Sequence, residues 1–407
     1  MQAILILKSY PAFPIRQYNS IMNLPGYSCE ILDIETLFKK YESAWHQLQS
    51  SNSMAEPCTA YEWIKPVYKH LAIKKHPTIG LLLKKEKQII GIIPLVLYQF
   101  NKLGIKLNIL EPISEFYITH SDLLIHPISQ ENILYFLNSL KNLSLSWDIF
   151  HIRAIPEKHP GLTLLTHCLK KQKMTYSIQP KEISYYLTLN TSYSEFLQKR
   201  SRKFRKNLNL IRNRIINDHH TYHFKALSEI KDLNQAYEML LAIEQFSWKH
   251  QHGTAISSAN SQTQLYKDLC ESFYEQGNLK MLFLFIDDQP VAYDFGVLCG
   301  QKYHDLKCSF HQDYQKYSPS TLIRSKLIEN LIQENISCID FGPEAYEYIT
   351  HWTDENQNQY QIRYYRNNSK GQIYYLYDCL KSLITKLKLF FKKGPLFRDP
   401  KALKSIS

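Results

Sequence analysis

None of the eight cysteines pairs in a C-x-x-C motif, which excludes the usual zinc and disulfide frameworks. Several lie in apolar runs, where a reduced thiol acts as a small hydrophobe. No apolar run approaches the length of a membrane span, and the opening MQAILILKSYPAF is too short in its apolar part for a secretory signal. These absences point to a reducing cytoplasm. Acidic residues are also in deficit, 37 against 49 basic ones among 407, for a net charge of +12. That balance favours an anionic partner without choosing among phosphate cofactors, acidic glycans, nucleic acid or a membrane surface. No nucleic-acid-binding motif is present. With 44% hydrophobic and 21% charged residues, wholesale disorder is excluded and two or three packed domains are possible.

What is present reads as a repeat. The stretch IGLLLKKEKQIIGIIPLVLYQ from Ile79 and the stretch LKMLFLFIDDQPVAYDFGVLC from Leu279 are each an apolar strand, a polar turn and a second apolar strand, the pattern of a β-hairpin. Each follows a helix-like region, containing Trp63 in one and Trp248 in the other. The expected architecture is therefore α/β, with two copies of one domain type.

The segment from Ser192 to Asn217 reads as one long helix. Ser192 and Glu195 form a capping box, and Leu197, Phe204, Leu208, Ile211 and Ile215 mark one face. Its other positions hold Lys199, Arg200, Arg202, Lys203, Arg205, Lys206, Arg212 and Arg214, so 199–214 is a candidate surface for an anionic partner. A second helix is predicted from Asp232 to His250, and a third from Pro319 to Glu334 between strands at 302–310 and 337–341. In the tail, Leu380, Leu383, Ile384, Leu387 and Phe391 share a helical face with Lys381, Lys386, Lys388, Lys392 and Lys393 mostly elsewhere. Such a basic amphipathic helix either packs on its own domain or lies on an anionic membrane. His219, His220 and His223 follow the basic segment in a predicted loop and strand, and no metal is expected there.

The junction Ser318-Pro319-Ser320-Thr321 carries the functional reading. Serine is a preferred N-cap and proline suits the first helical position. Helix starts present unpaired N–H groups and a partial positive charge, so the junction is either a well-capped helix or a seat for a phosphate. Ser318, Ser320, Thr321 and Leu322 would offer N–H groups or hydroxyls, and Arg324 a charge-assisted contact.

The residues from about Tyr41 to Tyr365 resemble the CelD/BcsL-type branch of the GNAT N-acetyltransferases, in a doubled form like the FemABX transferases. The resemblance rests on Trp45 and Trp63, GIIPL from Gly91, the basic stretch SRKFRKNLNLIRNRI, EQFSWKHQHG from Glu244, DYQKYSPS from Asp313 and DFGPEAYEYITHW from Asp340. It departs from the family pattern at Ser320, where a glycine is usual, and at Ile349, where a lysine is usual. It implies two tandem GNAT-like domains with mixed sheets, at 1–185 and 186–377, and a basic amphipathic tail at 378–407. It further implies an acyltransferase that takes an acyl group, acetyl or another, from coenzyme A. The pyrophosphate would sit at Ser318 to Leu322, and the acceptor would be an amine or hydroxyl of a sugar, glycan precursor or peptide.

Acyl transfer needs an acceptor that loses a proton and a polarised thioester, held in line. Glu244 falls on the stripe of Leu233, Tyr237, Leu240 and Trp248 and is the leading base candidate, with pairing to the basic helix as the alternative. Asp294, inside a strand where aspartate is disfavoured, needs a partner. Asp340 closes a strand before Gly342, either at a ligand site or as a turn former. Trp248, Lys249, Tyr348 and Trp352 are the acceptor-pocket candidates, the aromatics otherwise being core. A FemABX-like aminoacyl-tRNA donor and a catalytically silent binding module remain alternatives. The expected location is the cytoplasm, with peripheral contact at the inner membrane face as the alternative if the tail lies on a bilayer.

Overall fold

The computed structural model describes residues 25–52, 56–70, 75–102, 104–113, 120–343 and 348–393. The N-terminal half runs β1 (Tyr27–Asp33), α1 (Ile34–Ser51), α2 (Tyr61–His70), β2 (Thr78–Lys85), β3 (Gln88–Lys102), β4 (Ile105–Pro112), β5 (Leu124–Ile125), α3 (Gln130–Lys141), β6 (Ile149–Pro156), α4 (Pro160–Lys171) and β7 (Thr175–Thr188). Then come α5 (Tyr193–Lys199), α6 (Arg202–Asn217), β8 (Tyr222–Ala226), α7 (Leu233–Gln245), the single turn α8 (Trp248–Gln251), α9 (Asn260–Glu275), β9 (Leu279–Ile286), β10 (Gln289–Cys299), β11 (Lys302–Phe310), α10 (Pro319–Gln333), β12 (Cys338–Gly342), β13 (Asn356–Tyr365) and α11 (Ser369–Lys393).

Among the described residues these strands form one sheet in the order β1-β2-β3-β4-β6-β13-β7-β12-β11-β10-β9-β8, with β5 beside β3. The order is symmetric about its centre. On each side an antiparallel run of four strands meets one parallel partner, β6 beside β4 and β12 beside β11. The last strands are exchanged. β7 of the first half pairs with β12 of the second, β13 pairs with β6, and the two pair with each other from Thr175 to Tyr185. A division of the chain at 185/186 cuts through β7.

Local chemistry accounts for these elements. The β9–β10 hairpin turns at Asp287 and Asp288, both at positive φ, the geometry that suits the twist of a two-residue loop. β9 is apolar at nearly every position and buried throughout apart from Lys280, because helices cover both faces of the sheet. Leu240, Tyr266 and Phe295 belong to the core under α1, α2, α7 and α9, while Ile323, Ile328 and Ile339 belong to the core under α10.

The long helix predicted over 192–217 is two helices. Ser192 and Glu195 make the expected capping box of α5, but Arg200 is extended and Ser201 starts α6, its hydroxyl accepting from the Phe204 N–H at 3.1 Å. A strong internal N-cap overrides helical periodicity. Trp63 is buried in α2, whereas Trp248 opens the exposed turn between α7 and α9, so the two tryptophans are not equivalent in the repeat. The side chains of Lys386, Phe391, Lys392 and Lys393, and residues 394–407 of the tail, lie outside the described ones, as does the 344–347 part of the DFG stretch.

Candidate functional site

β11 and β12 pair in parallel only over Lys302↔Cys338, Tyr303↔Ile339 and His304↔Asp340, and then diverge. A bulge between Phe295 and Gly296 in the pairing with β10 re-aims β11 just past this vertex. Gly296 has no freedom to carry a side chain. A Cβ there would sit 2.4 Å from the His304 carbonyl oxygen and 2.3 Å from the Tyr303 ring. The absence of that Cβ lets Tyr303 reach Asp294 at 2.9 Å.

At the vertex, on the face away from α10, four buried side chains from both halves converge. Glu56 and His120 come from the first half, His304 and Asp340 from β11 and β12. His120 Nε2 lies 2.8 Å from Asp340 Oδ2, and Lys302 donates to Glu56 Oε1 at 2.7 Å. The other Asp340 oxygen accepts from the Gly342 N–H at 2.8 Å, so this aspartate both forms the turn and faces the cluster. Three atoms are left over. Among the described residues, Glu56 Oε2, His120 Nδ1 and His304 Nε2 are buried without a hydrogen bond. Glu56 Oε2 faces His304 Nε2 at 3.6 Å and His120 Nε2 at 4.0 Å.

Burial pushes His120 down, but Asp340 and Glu56 outweigh it and raise the imidazolium to about 9. Burial lowers His304 to about 4, leaving it neutral near pH 7. Burial also opposes ionisation of Asp340 and Glu56, yet His120, His304 and Lys302 hold both below the usual carboxylate range. Glu56, His304 and Asp340 are the one set among the described residues whose ligand atoms could close on a cation, all within 4.8 Å. Lys302 and protonated His120 already balance the two carboxylates there, so the charge of a resident metal is not required.

The first half has a corresponding vertex, and it is closed. β4 and β6 pair in parallel over two residues and then meet Glu111 and His151. Glu111 accepts from Tyr98 at 2.7 Å, from His151 at 2.6 Å and from Arg153 at 2.8 Å. The helix starts differ in the same sense. At α3 the Ser129 hydroxyl caps the Asn132 N–H, and the second helical residue is Glu131. At α10 Ser318 makes no side-chain cap, and the second helical residue is Ser320.

The start of α10 is held from below. Arg214 of α6 donates to the Lys316 carbonyl, and Asp218 accepts from Lys316 and Tyr317, each at 2.8 Å. Ser318 adopts a left-handed φ of 45°, an uncommon conformation for serine. Thr321 and Leu322 turn their N–H groups to the Ser318 carbonyl, at 2.9 and 3.4 Å, and Pro319 has none. Of the four predicted donors the first turn therefore leaves Ser320's N–H, together with the half-buried hydroxyls of Ser318, Ser320 and Thr321.

Several predicted site residues lie elsewhere. Arg324 does not face a phosphate. It is 2% exposed and pairs with Asp305 at 2.7 Å and Asp294 at 3.0 Å on the α10 face, because an α10 residue one turn from the start points into the sheet. Asp294 has its partners in Arg324 and Tyr303, away from the vertex. Burial pushes its carboxyl up to about 7, with Arg324 offsetting part of that rise. Glu244 pairs neither with the basic helix nor with the cluster. It is fully buried and accepts from Tyr293 at 2.7 Å and from the Ile256 N–H at 2.5 Å, tying α7 to β10 and to the loop before α9. Trp352 is core, edge-on to Phe204, with its carbonyl taken by Arg200. Lys249 donates to the Cys308 carbonyl at 2.6 Å, and the Tyr348 hydroxyl lies 3.7 Å from Cys308 Sγ, so both border the diverging part of β11. Trp248 is exposed and edge-on to His252. The three histidines after the basic segment are scattered: His220 pairs with Asp287, His223 stacks on Phe285, and His219 is exposed. Glu56, His120 and His304 carry no local signal in the sequence.

Two small cavities among the described residues, about 10 Å³ each, lie in the first half beside Asp122. They hold a water at most, and neither borders the start of α10.

Residues 202–349 match the family model described as an Acetyltransferase (GNAT) domain. Among solved structures the chain is similar to one described as "Crystal structure of FemX", at 10% identity and a TM-score of 0.59, over 82% of this chain and 98% of that one. The fold is GNAT-like, and doubled. It is also similar, at a TM-score of 0.48 and 11% identity, to the C-terminal domain of a putative lysylphosphatidylglycerol synthetase from Agrobacterium fabrum, over 84% of this chain and 96% of that one. No curated protein matches the chain. No helix among the described residues is long and apolar enough to cross a membrane.

Proposed function

We propose that the second half is the working copy of a doubled GNAT-like acyltransferase of the CelD/BcsL type. Its donor is an acyl-CoA, acetyl-CoA in the simplest case, lying where β11 and β12 diverge, with the pyrophosphate at the mouth of α10. The acceptor is an amine or hydroxyl of a sugar, glycan precursor or peptide. The observation that carries this reading is the asymmetry between the halves. One vertex and helix start are self-satisfied, while the other, among the described residues, leaves buried hydrogen-bonding atoms and a first turn without a side-chain cap. A buried unsatisfied group costs ~1–3 kcal/mol, and a bound substrate that fills it offsets that cost.

In this scheme the acceptor's N–H or O–H faces neutral His304. Its nitrogen or oxygen attacks the thioester carbonyl, the C–S bond breaks, and the acceptor proton passes to His304 Nε2 and on to the departing thiolate. Glu56 and Asp340, held ionised by Lys302 and His120, stabilise the transient imidazolium. Lys249 and Tyr348 border the diverging part of β11. Free-thiol release from acetyl-CoA, screened over amino sugars and peptides, should fall in His304→Gln while acetyl-CoA binding is retained. Unchanged release would remove His304 from the chemistry.

Ser320→Glu copies the acidic residue that the silent half carries at Glu131. It should weaken acetyl-CoA binding, read by thermal shift, by ~10-fold or more. Binding that survives this substitution places the phosphates elsewhere.

A second reading, the aminoacyl-tRNA donor that the FemABX resemblance implies, is favoured by exposed Lys199, Arg202, Lys203 and Lys206. Arg200 and Arg205 are engaged with carbonyls of Trp352 and of the α5 end. Tight tRNA binding that weakens steeply with salt, without acetyl-CoA binding, would favour it. Binding of neither donor would leave a silent module.

A further inference from the structure

The tail helix is anchored on one face and exposed on another. Arg363 donates to Asp378 at 2.6 Å, and the Tyr365 hydroxyl to the same carboxylate oxygen at 2.5 Å. Tyr374 is buried against β4, β6 and β13 residues. This clamp fixes one face of α11 on the sheet. The opposite face carries Ile373, Leu376, Leu380, Leu383 and Leu387, with Ile384 beside them, each between 46% and 61% exposed. Their spacing of three and four residues makes one continuous stripe. Between Cys379 and Lys393 the chain has five lysines and no acidic residue, and Lys381 and Lys388 are exposed.

We infer that α11 beyond the Asp378 clamp is a docking surface for an anionic lipid bilayer, lying in the plane of the interface with its leucine stripe in the acyl boundary. Charge selects this occupant. A second copy of the helix on the same seam would bring lysines against lysines with no carboxylate to answer them, whereas anionic headgroups complement every one. Lying on the bilayer suits a helix that is not apolar enough to cross it.

The test uses the full chain and vesicles of phosphatidylcholine, with and without about 30% phosphatidylglycerol, read by co-sedimentation. The expected result is binding to the anionic vesicles only, weakened ~10-fold or more by raised salt. It should be lost in Leu383→Glu/Ile384→Glu and reduced in Lys381→Glu/Lys388→Glu, with melting temperatures unchanged because these side chains are exposed. Absence of binding, or equal binding by the Leu383/Ile384 variant, overturns the inference. So does a dimer in light scattering that the same variant abolishes, since the stripe would then belong to a second copy.

Discussion

Replacing Arg324 with methionine should destabilise the chain by ~3–5 kcal/mol, read as a fall in the urea midpoint at constant slope. Its guanidinium is the cation beside Asp294 and Asp305, both buried, and it also covers the Phe341 ring at 5.4 Å. Burial and the two carboxylates act in opposite directions on Arg324, and the carboxylates prevail, raising it well above its usual range. Removing it strands two carboxylates under α10. The loss should be smaller at pH 5 than at pH 8, because the Asp294 carboxyl, already pushed up to about 7, takes a proton at the lower pH. Restoring neutrality should recover most of the stability, so Arg324→Met/Asp294→Asn/Asp305→Asn should lie closer to wild type than Arg324→Met alone. If the single variant is as stable as wild type at pH 8, the triad is not what holds α10 on the sheet.

That triad shows where a sequence stops informing. An aspartate inside β10 signals a missing partner, and the partner exists. Yet Arg324, read as a phosphate ligand, is that partner. Helical spacing places Arg324 one turn in, but which way that turn faces depends on how α10 lies on β10 and β11. Elements whose signal is local were legible. Both hairpins, the strand 302–310 and the helix from Pro319 follow from apolar runs, turn residues and caps within a few positions. The doubling was legible for the same reason. The exchange of β7 and β13 was not, since strand partners are set by tertiary packing and both strands read alike. Of the four residues at the vertex only Asp340 was singled out in the sequence. It carried the D-F-G context, but its partner His120 is 220 residues away in a stretch with no pattern of its own. Glu244 was read as a base candidate because a carboxylate on an apolar stripe is desolvated. The tyrosine hydroxyl and backbone N–H from which it accepts cannot be seen from helical spacing.

The pair His120–Asp340 should make the fold lose stability with rising pH, by ~3 kcal/mol between pH 6.5 and pH 10. The sign follows from which state holds the proton more tightly. Folded His120 titrates at about 9, above the 6.5 of a free histidine, so its contribution is fully present below pH 6.5 and disappears as the pH passes through 9. Asp340 and Glu56 are held below their ordinary values. Their contributions are present from neutral pH upward and fail only in acid, so they do not obscure this window. Asp294 has its transition near 7, and buried thiols such as Cys58 and Cys299, pushed up by burial, add a loss of their own at the alkaline end. The decisive quantity is therefore the difference between wild type and His120→Asn, followed by urea midpoints from pH 6.5 to pH 10. The variant keeps every other titrating group, so its curve should lie below wild type at pH 6.5 and converge on it by pH 10. Parallel curves would mean that His120 is neutral in the folded protein. Glu56 and Asp340 would then depend on Lys302 alone for their balancing charge, and His304 would no longer be the one neutral imidazole at the vertex.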